Sequence, residues 1–374
     1  MARIAIEFTP AVTQGGGVAR SVHEMTAALL AASRHDYTLF IAGDSPLPVD
    51  IDRFNPNVRR SPVSSIMLTR LWHRLRLPLP VETFTGQQDL FFATDFALPP
   101  LKRRTRSAVF IHDLTYVRVP EAAVPSLVAY LGAVVPRSIQ RADVVIVNSE
   151  ATKADIVETY GTPPDKVIPV QFGVHKRFAP SNVPLGVLRD KYSLPDGSYL
   201  LAVGTIQPRK NYARLISALR QLREGGMEIS LVIAGGRGWL DSPIYASVQA
   251  GKLEPYVKFL GYVDDGDLPA LYSHAEVFVM PSLYEGFGLP VLEAMACRVP
   301  VVTSNVSSLP EAAGDSALLV DPLDVDALTH ALRRVLDDSE LRKSMIERGI
   351  LRAADFIWER TAAQLADAFE LALS

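Results

Sequence analysis

Two glutamates in the second half of the chain, Glu285 and Glu293, lie on either side of the glycines Gly286 and Gly288. The preceding run EVFVM predicts a strand, and Pro290 suits the first turn of a helix, where a missing N–H costs little. A helix that starts just after a strand directs free amides and its positive dipole end towards anions. The sequence therefore predicts a phosphate-sized site between the two carboxylates, with Glu285 in the loop and Glu293 in the helix's first turn.

An ionised carboxylate only accepts hydrogen bonds, so such a pair suits the hydroxyl groups of two sugars, a ribose and a transferred hexose. In the alternative interpretation, Glu285 is a surface loop residue and Glu293 caps helix amides. The residues alone leave both interpretations open.

Two adjacent cations, Arg209 and Lys210, follow the predicted strand YLLAVGT and precede a helix with apolar Leu215, Ile216 and Leu219. Arginine offers a planar fork of donors and lysine a point charge, so together they can neutralise a diphosphate. A solvated Arg-Lys pair on the surface is the alternative.

Three glycines, Gly15 to Gly17, join the first predicted strand to the first helix. Glycine lets the backbone approach a ligand and exposes amides to anionic oxygens, although a flexible turn without a ligand has the same sequence. The run does not form G-x-G-x-x-G, because Arg20 stands where the last glycine is needed, which argues against a nicotinamide dehydrogenase.

A histidine, His112, follows the predicted strand SAVFI, and Asp113 comes next. A lone histidine is more often packed in the core or solvated than catalytic. Its place at a strand's carboxyl end keeps the catalytic interpretation open, with Asp113 orienting it or binding an acceptor.

Strands and helices alternate through both halves of the chain, which predicts parallel sheets covered by helices. The predicted first helix runs from about Val18 to Ala32. A proline-rich polar stretch near residues 176–184 predicts a linker. We therefore expect an α/β fold of two Rossmann-like parallel-sheet domains, 1–178 and 179–356.

The composition is that of an ordinary globular protein, with 374 residues, 48% hydrophobic and 21% charged. One cysteine, Cys297, excludes an internal disulfide and a cysteine-based zinc site. The start of the sequence has no signal-peptide pattern, and apolar runs are too short for a membrane span, so we expect a cytoplasmic protein.

Basic residues cluster in the first half, which carries 20 Lys/Arg against 16 Asp/Glu up to residue 180. The clusters are solvated surface loops in one interpretation and, in the other, a patch that meets anionic lipid or a phosphorylated acceptor. Nucleic acid is not expected, because interleaved aromatics are lacking. The clustered residues are Arg59, Arg60, Arg70, Arg74 and Arg76 around Trp72, followed by Lys102, Arg103, Arg104 and Arg106.

The run E-G-F-G-L-P-x-x-E resembles the E-x7-E signature of glycosyltransferase family 4, and the similarity continues through VPVVTSNVSSLPEAAGDSALLVDP. This resemblance implies a retaining enzyme of the GT-B fold, with two Rossmann-like domains facing across a cleft. The N-terminal domain would bind the acceptor and the C-terminal domain the nucleotide-sugar donor, while a helix at about 357–374 would pack back on the N-terminal domain.

The resemblance also implies roles for individual residues. In the family an arginine usually stands where this chain has Thr205, so Lys210 is carried over more directly than Arg209. The implied catalytic residues are His112, Glu285 and Asp113. The implied donor-binding residues are Gly16, Gly17, Arg20, Arg209, Lys210, Phe287, Gly288, Leu289, Glu293, Tyr262 and Val263.

The implied reaction is transfer of a hexose from a nucleotide-diphosphate sugar, without a metal or another cofactor. The stretch VGTIQPRKN resembles bacterial mannosyltransferases of surface polysaccharide assembly, which favours a GDP-linked mannose or deoxymannose and a glycan or lipid-linked acceptor. Such an acceptor would suit peripheral contact with the inner face of the membrane. The alternatives are a UDP-hexose-dependent enzyme and a non-catalytic GT-B-like protein that binds sugar nucleotides.

Weaker signals are interpreted as structural. Adjacent Asp264 and Asp265 look like a metal pair but more often cap a helix. Asn148, Ser149 and Glu150 at the end of VVIVNSE can cap the next helix or touch the acceptor, with capping favoured.

Overall fold

A computed structural model describes residues 1–374, and the chain divides into two compact units. The first unit contains Met1–Leu114, Ala129–Gly173 and Ile357–Ser374. The second contains Thr115–Val128 and Val174–Phe356.

The first unit is built on a parallel sheet of seven strands in the order β3-β2-β1-β4-β5-β6-β7. Parallel strands are buried on both faces, which explains the continuous apolar runs. The strands are β1 Arg3–Glu7, β2 Asp36–Ala42, β3 Asn57–Ser61, β4 Leu90–Ala93, β5 Arg106–Ile111, β6 Val144–Val147 and β7 Val167–Pro169.

The helices of this unit connect and cover the strands. Arg70–Arg74 form a π-helical turn and Pro164–Lys166 a 3₁₀ turn. The α-helices are α1 Thr9–Thr13, α2 Gly16–Ala32, α3 Val49–Asp52, α4 Ser65–Thr69, α5 Glu82–Thr85, α7 Pro125–Arg141 (whose first turn belongs to the second unit), α8 Glu150–Tyr160 and the C-terminal α17 Trp358–Leu373.

The second unit has a parallel sheet of six strands in the order β10-β9-β8-β11-β12-β13. These strands are β8 Ser198–Val203, β9 Ile229–Ala234, β10 Val257–Gly261, β11 Val277–Met280, β12 Val301–Ser304 and β13 Ala317–Val320. The predicted fold class, two parallel-sheet Rossmann-like domains, is confirmed.

Helices cover this second sheet. The side chains of Leu215, Leu219 and Leu332, which belong to these helices, are completely buried in its core. Burying one such side chain contributes about 1.5–3 kcal/mol. Short 3₁₀ turns lie at Pro120–Ala122 and Pro208–Lys210. The helices are α6 Thr115–Arg118, α9 Leu185–Tyr192, α10 Tyr212–Glu224, α11 Ser242–Ala250, α12 Leu268–Ser273, α13 Leu289–Ala296, α14 Leu309–Ala313, α15 Val325–Asp337 and α16 Ser339–Ala354.

The division of the chain differs from the predicted boundary at residue 178. The second unit starts at Val174 and also includes Thr115–Val128. Two contacts explain this inclusion: the indole N–H of Trp239 donates to the Ala122 carbonyl at 2.7 Å, and Ala122 packs in a small apolar cluster with Tyr284. Such contacts join residues far apart in sequence, so a linear scan for linkers misses them.

Helix α17 packs on the first unit. Phe369 is fully buried, with its ring centre 5.1 Å from that of Phe92 in β4. At the surface, Arg34 after α2 pairs with Asp367 and Glu370, each at 2.7 Å. The last helix of the chain is therefore part of the N-terminal core.

Candidate functional site

The loops after β8 and β11 meet at the carboxyl edge of the second sheet, because these two strands are neighbours in it. The first loop carries Arg209 and Lys210, and the second carries Glu285. The loops are joined directly by a hydrogen bond from the Leu283 amide to the Arg209 carbonyl, 2.8 Å long.

The three charged side chains converge. Lys210 Nζ lies 2.7 Å from Glu285 Oε1, and an Arg209 guanidinium nitrogen lies 2.5 Å from Glu285 Oε2. Lys210 and Glu285 are each 7% exposed. Burial by itself would raise the pKa of Glu285, but the charges of Arg209 and Lys210 outweigh it and hold that pKa at about 2. The triad thus carries one net positive charge when Glu285 is ionised.

Gly204 makes room for Lys210. It has φ +143°, a conformation that other residues rarely adopt, and a Cβ there would lie 2.8 Å from Lys210 Cε. The Gly204 carbonyl accepts a hydrogen bond from the Tyr212 hydroxyl at 3.1 Å. The end of β8 is therefore shaped so that the lysine stem can pass close to the backbone.

Helix α13 starts beside this triad. Gly288 precedes its first residue with φ +112°, and a Cβ at Gly288 would lie 3.0 Å from Leu309 Cδ2. Leu289 opens the helix, while the Phe287 side chain is 4% exposed and packs against Phe356. Only the backbone of Phe287 is therefore available to an anion. The sequence analysis likewise predicted that backbone amides at this helix start face an anion.

Two serines hold the Glu285 loop in place, and the sequence analysis missed both. The Glu285 amide donates to Ser307 Oγ at 2.9 Å. Ser308 Oγ, fully buried, lies 2.9 Å from the carbonyl oxygens of Glu285 and Phe287. Both serines belong to the run NVSSLPE, which the sequence analysis used only as part of the resemblance to the family.

Asn211 is another positioning residue that the sequence analysis missed. Its φ is +59°, and its side-chain amide donates to the Pro281 carbonyl at 2.9 Å and to the Pro322 carbonyl at 2.7 Å. One amide therefore ties together the segments that follow β8, β11 and β13.

Glu293 lies deeper than predicted. Helix α13 begins at Leu289, which makes Glu293 its fifth residue and places it in the second turn rather than the first. It is 2% exposed, and Oε2 accepts a hydrogen bond from the Tyr272 hydroxyl at 3.0 Å. The side chain does not cap the helix, so the capping alternative is wrong for this residue.

The segment after β10 contains the other predicted donor contacts. Tyr262 is 74% exposed and Val263 is buried. Asp264 pairs with Lys191 at 2.8 Å and Asp265 with Arg177 at 3.3 Å. Neither aspartate caps α12, which is preceded by Asp267, so the prediction that these aspartates cap the helix is wrong.

His112 lies at the carboxyl edge of the first sheet, 5% exposed. Its Nε2 is 2.8 Å from the Thr94 carbonyl, which only accepts, so Nε2 carries a proton. Burial lowers the pKa of His112, although Asp95, the Thr94 carbonyl and Asp113 act in the opposite direction. The imidazole is therefore neutral near pH 7, and Nδ1 is an acceptor. Asp113, the next residue, is half-buried.

The glycine run differs from the predicted loop. Gly16 and Gly17 are the first two residues of α2, which starts two residues before the predicted Val18. All three glycines are exposed, and a Cβ on any of them would meet nothing within 4 Å. Arg20 follows in the next turn of α2, half-buried. The amides exposed at these glycines therefore belong to the start of a helix and not to a flexible loop.

One minor prediction concerns the residues at the end of β6. Ser149 caps α8, since its Oγ accepts from the Thr152 amide at 3.0 Å, which confirms the capping interpretation for that residue. No group of three or more His, Cys, Asp or Glu side chains in residues 1–374 is arranged to hold a metal ion. None of the helices combines the length and the apolar character that a membrane span requires.

Comparison with known protein families gives two matches that together cover most of the chain. The family described as glycosyl transferases group 1 matches residues 188–352, and glycosyltransferase family 4 matches residues 15–177. The boundary between the two matches falls close to Val174, where the second unit resumes.

Relatives and solved structures point the same way. O-antigen chain mannosyltransferase B of Escherichia coli is 36% identical over 84% of this chain and 82% of its own length. The serotype-specific mannosyltransferase WbdA of Escherichia coli is 33% identical over 60% of this chain, which spans only 28% of that protein. The solved sucrose-phosphate synthase of Thermosynechococcus elongatus has a TM-score of 0.77 at 23% identity over 99% of this chain and 98% of its own.

The solved structure of WaaG, a glycosyltransferase involved in lipopolysaccharide biosynthesis, has a TM-score of 0.74 at 18% identity over 98% of both chains. At this identity the likeness speaks for the fold alone. Taken with the identity to O-antigen chain mannosyltransferase B over more than four fifths of each chain, it shows that the chain belongs to glycosyltransferase family 4 and has the GT-B fold.

Proposed function

We propose that the chain transfers mannose or a deoxymannose from a GDP-linked sugar to a glycan or lipid-linked acceptor in cell-surface polysaccharide synthesis. The convergence of Arg209 and Lys210 on Glu285 beside the start of α13 carries this proposal. Similarity to O-antigen chain mannosyltransferase B supports mannose as the transferred sugar. The name of that relative refers to the O-antigen chain, which also supports a surface polysaccharide as the product.

In the proposed reaction, the bond between the anomeric carbon and the diphosphate oxygen breaks while the acceptor oxygen bonds to that carbon. Negative charge grows on the leaving diphosphate, and Arg209, Lys210 and the α13 amides stabilise it, with one such donor contributing about 3 kcal/mol. Glu285 and Glu293 accept hydrogen bonds from sugar hydroxyls. The backbone around Tyr262 and Val263 contacts the base in the proposed complex.

Retention follows if the acceptor attacks on the face that the diphosphate leaves, and the leaving phosphate oxygen takes the acceptor proton. Neutral His112 offers Nδ1 as an acceptor for a hydroxyl of the transferred sugar, with Asp113 beside it. Gly16, Gly17 and Arg20 present helix-start amides and a cation to the donor phosphates. We propose that these residues suffice without a metal or another cofactor.

The deciding experiment measures sugar transfer to an octyl mannoside from GDP-mannose, GDP-deoxymannose, UDP-glucose and UDP-galactose, with and without EDTA. We expect transfer from a GDP-sugar, unchanged by EDTA, and a product whose one-bond C–H coupling shows the anomeric configuration of the donor. Transfer from UDP-sugars alone would replace the donor assignment. Binding of a sugar nucleotide without any turnover would favour the non-catalytic alternative.

We further propose that the first unit touches the inner face of the cytoplasmic membrane through the surface of α4 and the π-helical turn. Ile66 is 67% exposed, Met67 53% and Leu75 63%, and no acidic residue occurs from Asn57 to Val81. Trp72 is buried, so its side chain lies beneath this surface and is not part of the exposed contact area. The exposed arginines in and near this part of the sequence are Arg59, Arg60, Arg70, Arg74 and Arg76.

Sedimentation with vesicles tests this contact. The protein should bind vesicles that contain phosphatidylglycerol more strongly than vesicles of phosphatidylcholine alone, and high salt should weaken the binding. The double change Ile66→Asp and Met67→Asp should abolish it, while Leu351→Asp, at a residue 72% exposed on α16, should not. Equal binding by both variants would reject the surface.

A further inference from the structure

Four neighbouring strands of the first sheet bring polar side chains to its carboxyl edge. Strands β1, β4, β5 and β6 are adjacent in the sheet. Glu7 is the last residue of β1, Asp95 follows β4 by two residues, and His112 and Asn148 directly follow β5 and β6. Of these four, only His112 has a role in the proposed reaction.

The backbone around Asp95 is strained. Phe96 has φ +57°, a left-handed conformation that is unfavourable for a bulky residue. Its amide donates to the Phe110 carbonyl at 3.0 Å, and the Thr94 hydroxyl donates to the Glu7 carbonyl at 2.7 Å. These bonds hold the turn that brings Asp95 near Glu7 and His112. Strain of this kind persists where surrounding contacts enforce it, and it is common in functional sites.

Glu7 and Asp95 form a pair of carboxyl groups without a cation. Neither has a lysine or arginine within ion-pair distance, and Asp95 accepts a hydrogen bond from the Gln14 side chain at 2.7 Å. Burial and the nearby charge of Asp95 raise the pKa of Glu7 to about 8. Burial and these two carboxyl groups also raise the pKa of Tyr130 to about 12.

Asn148 adds an unsatisfied acceptor to the same edge. Its side chain is 4% exposed, and Oδ1 is buried without a hydrogen-bond partner. A buried acceptor without a partner is destabilising unless a ligand supplies a hydrogen-bond donor. The pairing of Ile111 with Val147 places Asn148 beside His112, whose Nδ1 is also an acceptor.

These four residues, Glu7, Asp95, His112 and Asn148, are called the acceptor edge below. They offer acceptors, and Asp95 adds a negative charge, so a matching ligand supplies hydrogen-bond donors and carries no negative charge. Sugar hydroxyls meet both conditions. A phosphate or uronate group meets neither, because it would be desolvated next to the carboxylate of Asp95.

We propose that Glu7, Asp95 and Asn148 of the acceptor edge bind the hydroxyl groups of an uncharged sugar at the end of the acceptor and disfavour phosphorylated or acidic sugars, while His112 contacts the transferred sugar. This inference depends on the proposed function, since it assigns the acceptor class of that reaction. The basic surface at α4, which is assigned to lipid, lies on another part of the sequence. The basic and the acidic groups of the first unit therefore have separate roles.

Two probes test the inference, octyl mannoside and its 6-phosphate. Saturation-transfer NMR measures their binding without turnover, and initial rates measure KM and kcat with the best donor of the panel. The variants are Glu7→Gln and Asp95→Asn. Both keep the shape of the side chain; the first replaces a carboxyl group that holds its proton near pH 7, and the second removes a negative charge. Asp36→Asn is the matched control, since Asp36 is exposed at the amino end of β2, the opposite edge of the same sheet.

Wild-type protein should favour octyl mannoside over its phosphate at least tenfold. Each variant should raise the KM for octyl mannoside about tenfold and leave the donor KM within twofold, and Asp95→Asn should also reduce the preference against the phosphate severalfold. A purely structural role would change both acceptors equally. The control should match wild type in all three measurements.

Equal use of the two probes by wild type would overturn the inference. So would an Asp95→Asn variant that folds, binds donor and keeps the original preference, or a Glu7→Gln variant whose KM for octyl mannoside is unchanged. Circular dichroism and GDP binding establish folding for each variant. Failure of the proposed function looks different: the neutral probe would still bind in the NMR experiment, while no donor would give transfer.

Discussion

Lys210 Nζ donates to Glu285 Oε1 at 2.7 Å, and both side chains are more than nine-tenths buried. The lysine therefore already has an ionic partner, and so has Arg209. A diphosphate binding here shares these cations with Glu285 or separates them from it. The strength of this ion pair consequently sets part of the donor affinity.

Replacing Lys210 with methionine should lower kcat for sugar transfer about 10²- to 10³-fold, since one preorganised donor to the leaving phosphate is lost. The change also leaves Glu285 with one cation in a buried site, so the melting temperature should fall by several degrees. Steady-state kinetics and calorimetry measure the two effects. Lys343→Met, at an exposed residue of α16, should change neither. Normal turnover in the Lys210 variant would reject its assignment.

Glu285→Gln should strengthen the binding of GDP while weakening catalysis. The substitution leaves Arg209 and Lys210 without a counter-charge, which raises the net charge of the triad by one and attracts a diphosphate. We expect the dissociation constant of GDP, measured by titration calorimetry, to fall about 3- to 10-fold at low salt, with less change at high salt. A GDP affinity that is lower than that of wild type would show that Glu285 mainly positions the cations.

Gly288→Ala should lower donor affinity and stability together. The residue has φ +112°, and the added Cβ would approach Leu309 Cδ2 to 3.0 Å, so the start of α13 must shift. We expect a loss of about 1–3 kcal/mol of unfolding free energy and at least a tenfold rise in donor KM. Gly186→Ala is the control: Gly186 is in α9, its added Cβ meets nothing within 4 Å, and alanine favours a helix. A shift confined to stability would contradict a role for α13 in binding.

Asn211 allows strain and hydrogen bonding to be separated. Asn211→Gly keeps φ +59° accessible but removes both bonds to carbonyl groups, whereas Asn211→Ala removes the bonds and adds strain. Both variants should be destabilised in thermal unfolding, the alanine variant by about 1 kcal/mol more than the glycine variant. Equal stability of the two would mean that the backbone there relaxes easily.

The sequence predicted the long buried strands correctly because each is a continuous apolar run. It missed β3, whose residues NVRRS are mostly exposed at the edge of the sheet, and the short β4. The short helices α3 to α6 were also missed, since four or five residues show no helical period. The boundary at Val174 and the assignment of Thr115–Val128 depend on contacts such as that of Trp239 with Ala122, which composition does not reveal.

The site was predicted in part for a similar reason. Residues next to strand ends, such as Lys210, Glu285 and His112, are recognisable because the carboxyl ends of parallel strands share one edge. The pairing of Glu285 with Lys210 is not recognisable in this way. The sequence analysis predicted that Glu285 binds a sugar and that Lys210 binds a phosphate, whereas the structure shows an ion pair between them. Ser308, Asn211 and Asp95 have no motif of their own, and their importance comes from the geometry around them.

The raised pKa of Glu7 gives a pH dependence with a definite sign. The ordinary pKa of such a carboxyl is 4.5, and in the folded chain burial and the charge of Asp95 raise it to about 8. Between these values the folded chain keeps a proton that the unfolded chain releases, so Glu7 makes the protein less stable as the pH rises from 4.5 to 8. Gln at this position cannot titrate and removes that contribution.

The melting temperature of Glu7→Gln minus that of wild type should therefore increase from pH 5 to pH 8.5, by on the order of 5 °C. Asp95 faces Glu7 as a neighbouring charge and Tyr130 as a phenol that stays neutral over this range, so neither reverses the sign. The difference between Asp36→Asn and wild type should stay flat, because that carboxyl is exposed. Calorimetric scans at half-unit steps of pH measure both differences. A constant difference for Glu7→Gln would mean that Glu7 is ionised at neutral pH, and its negative charge would then disfavour acidic acceptor sugars even more strongly.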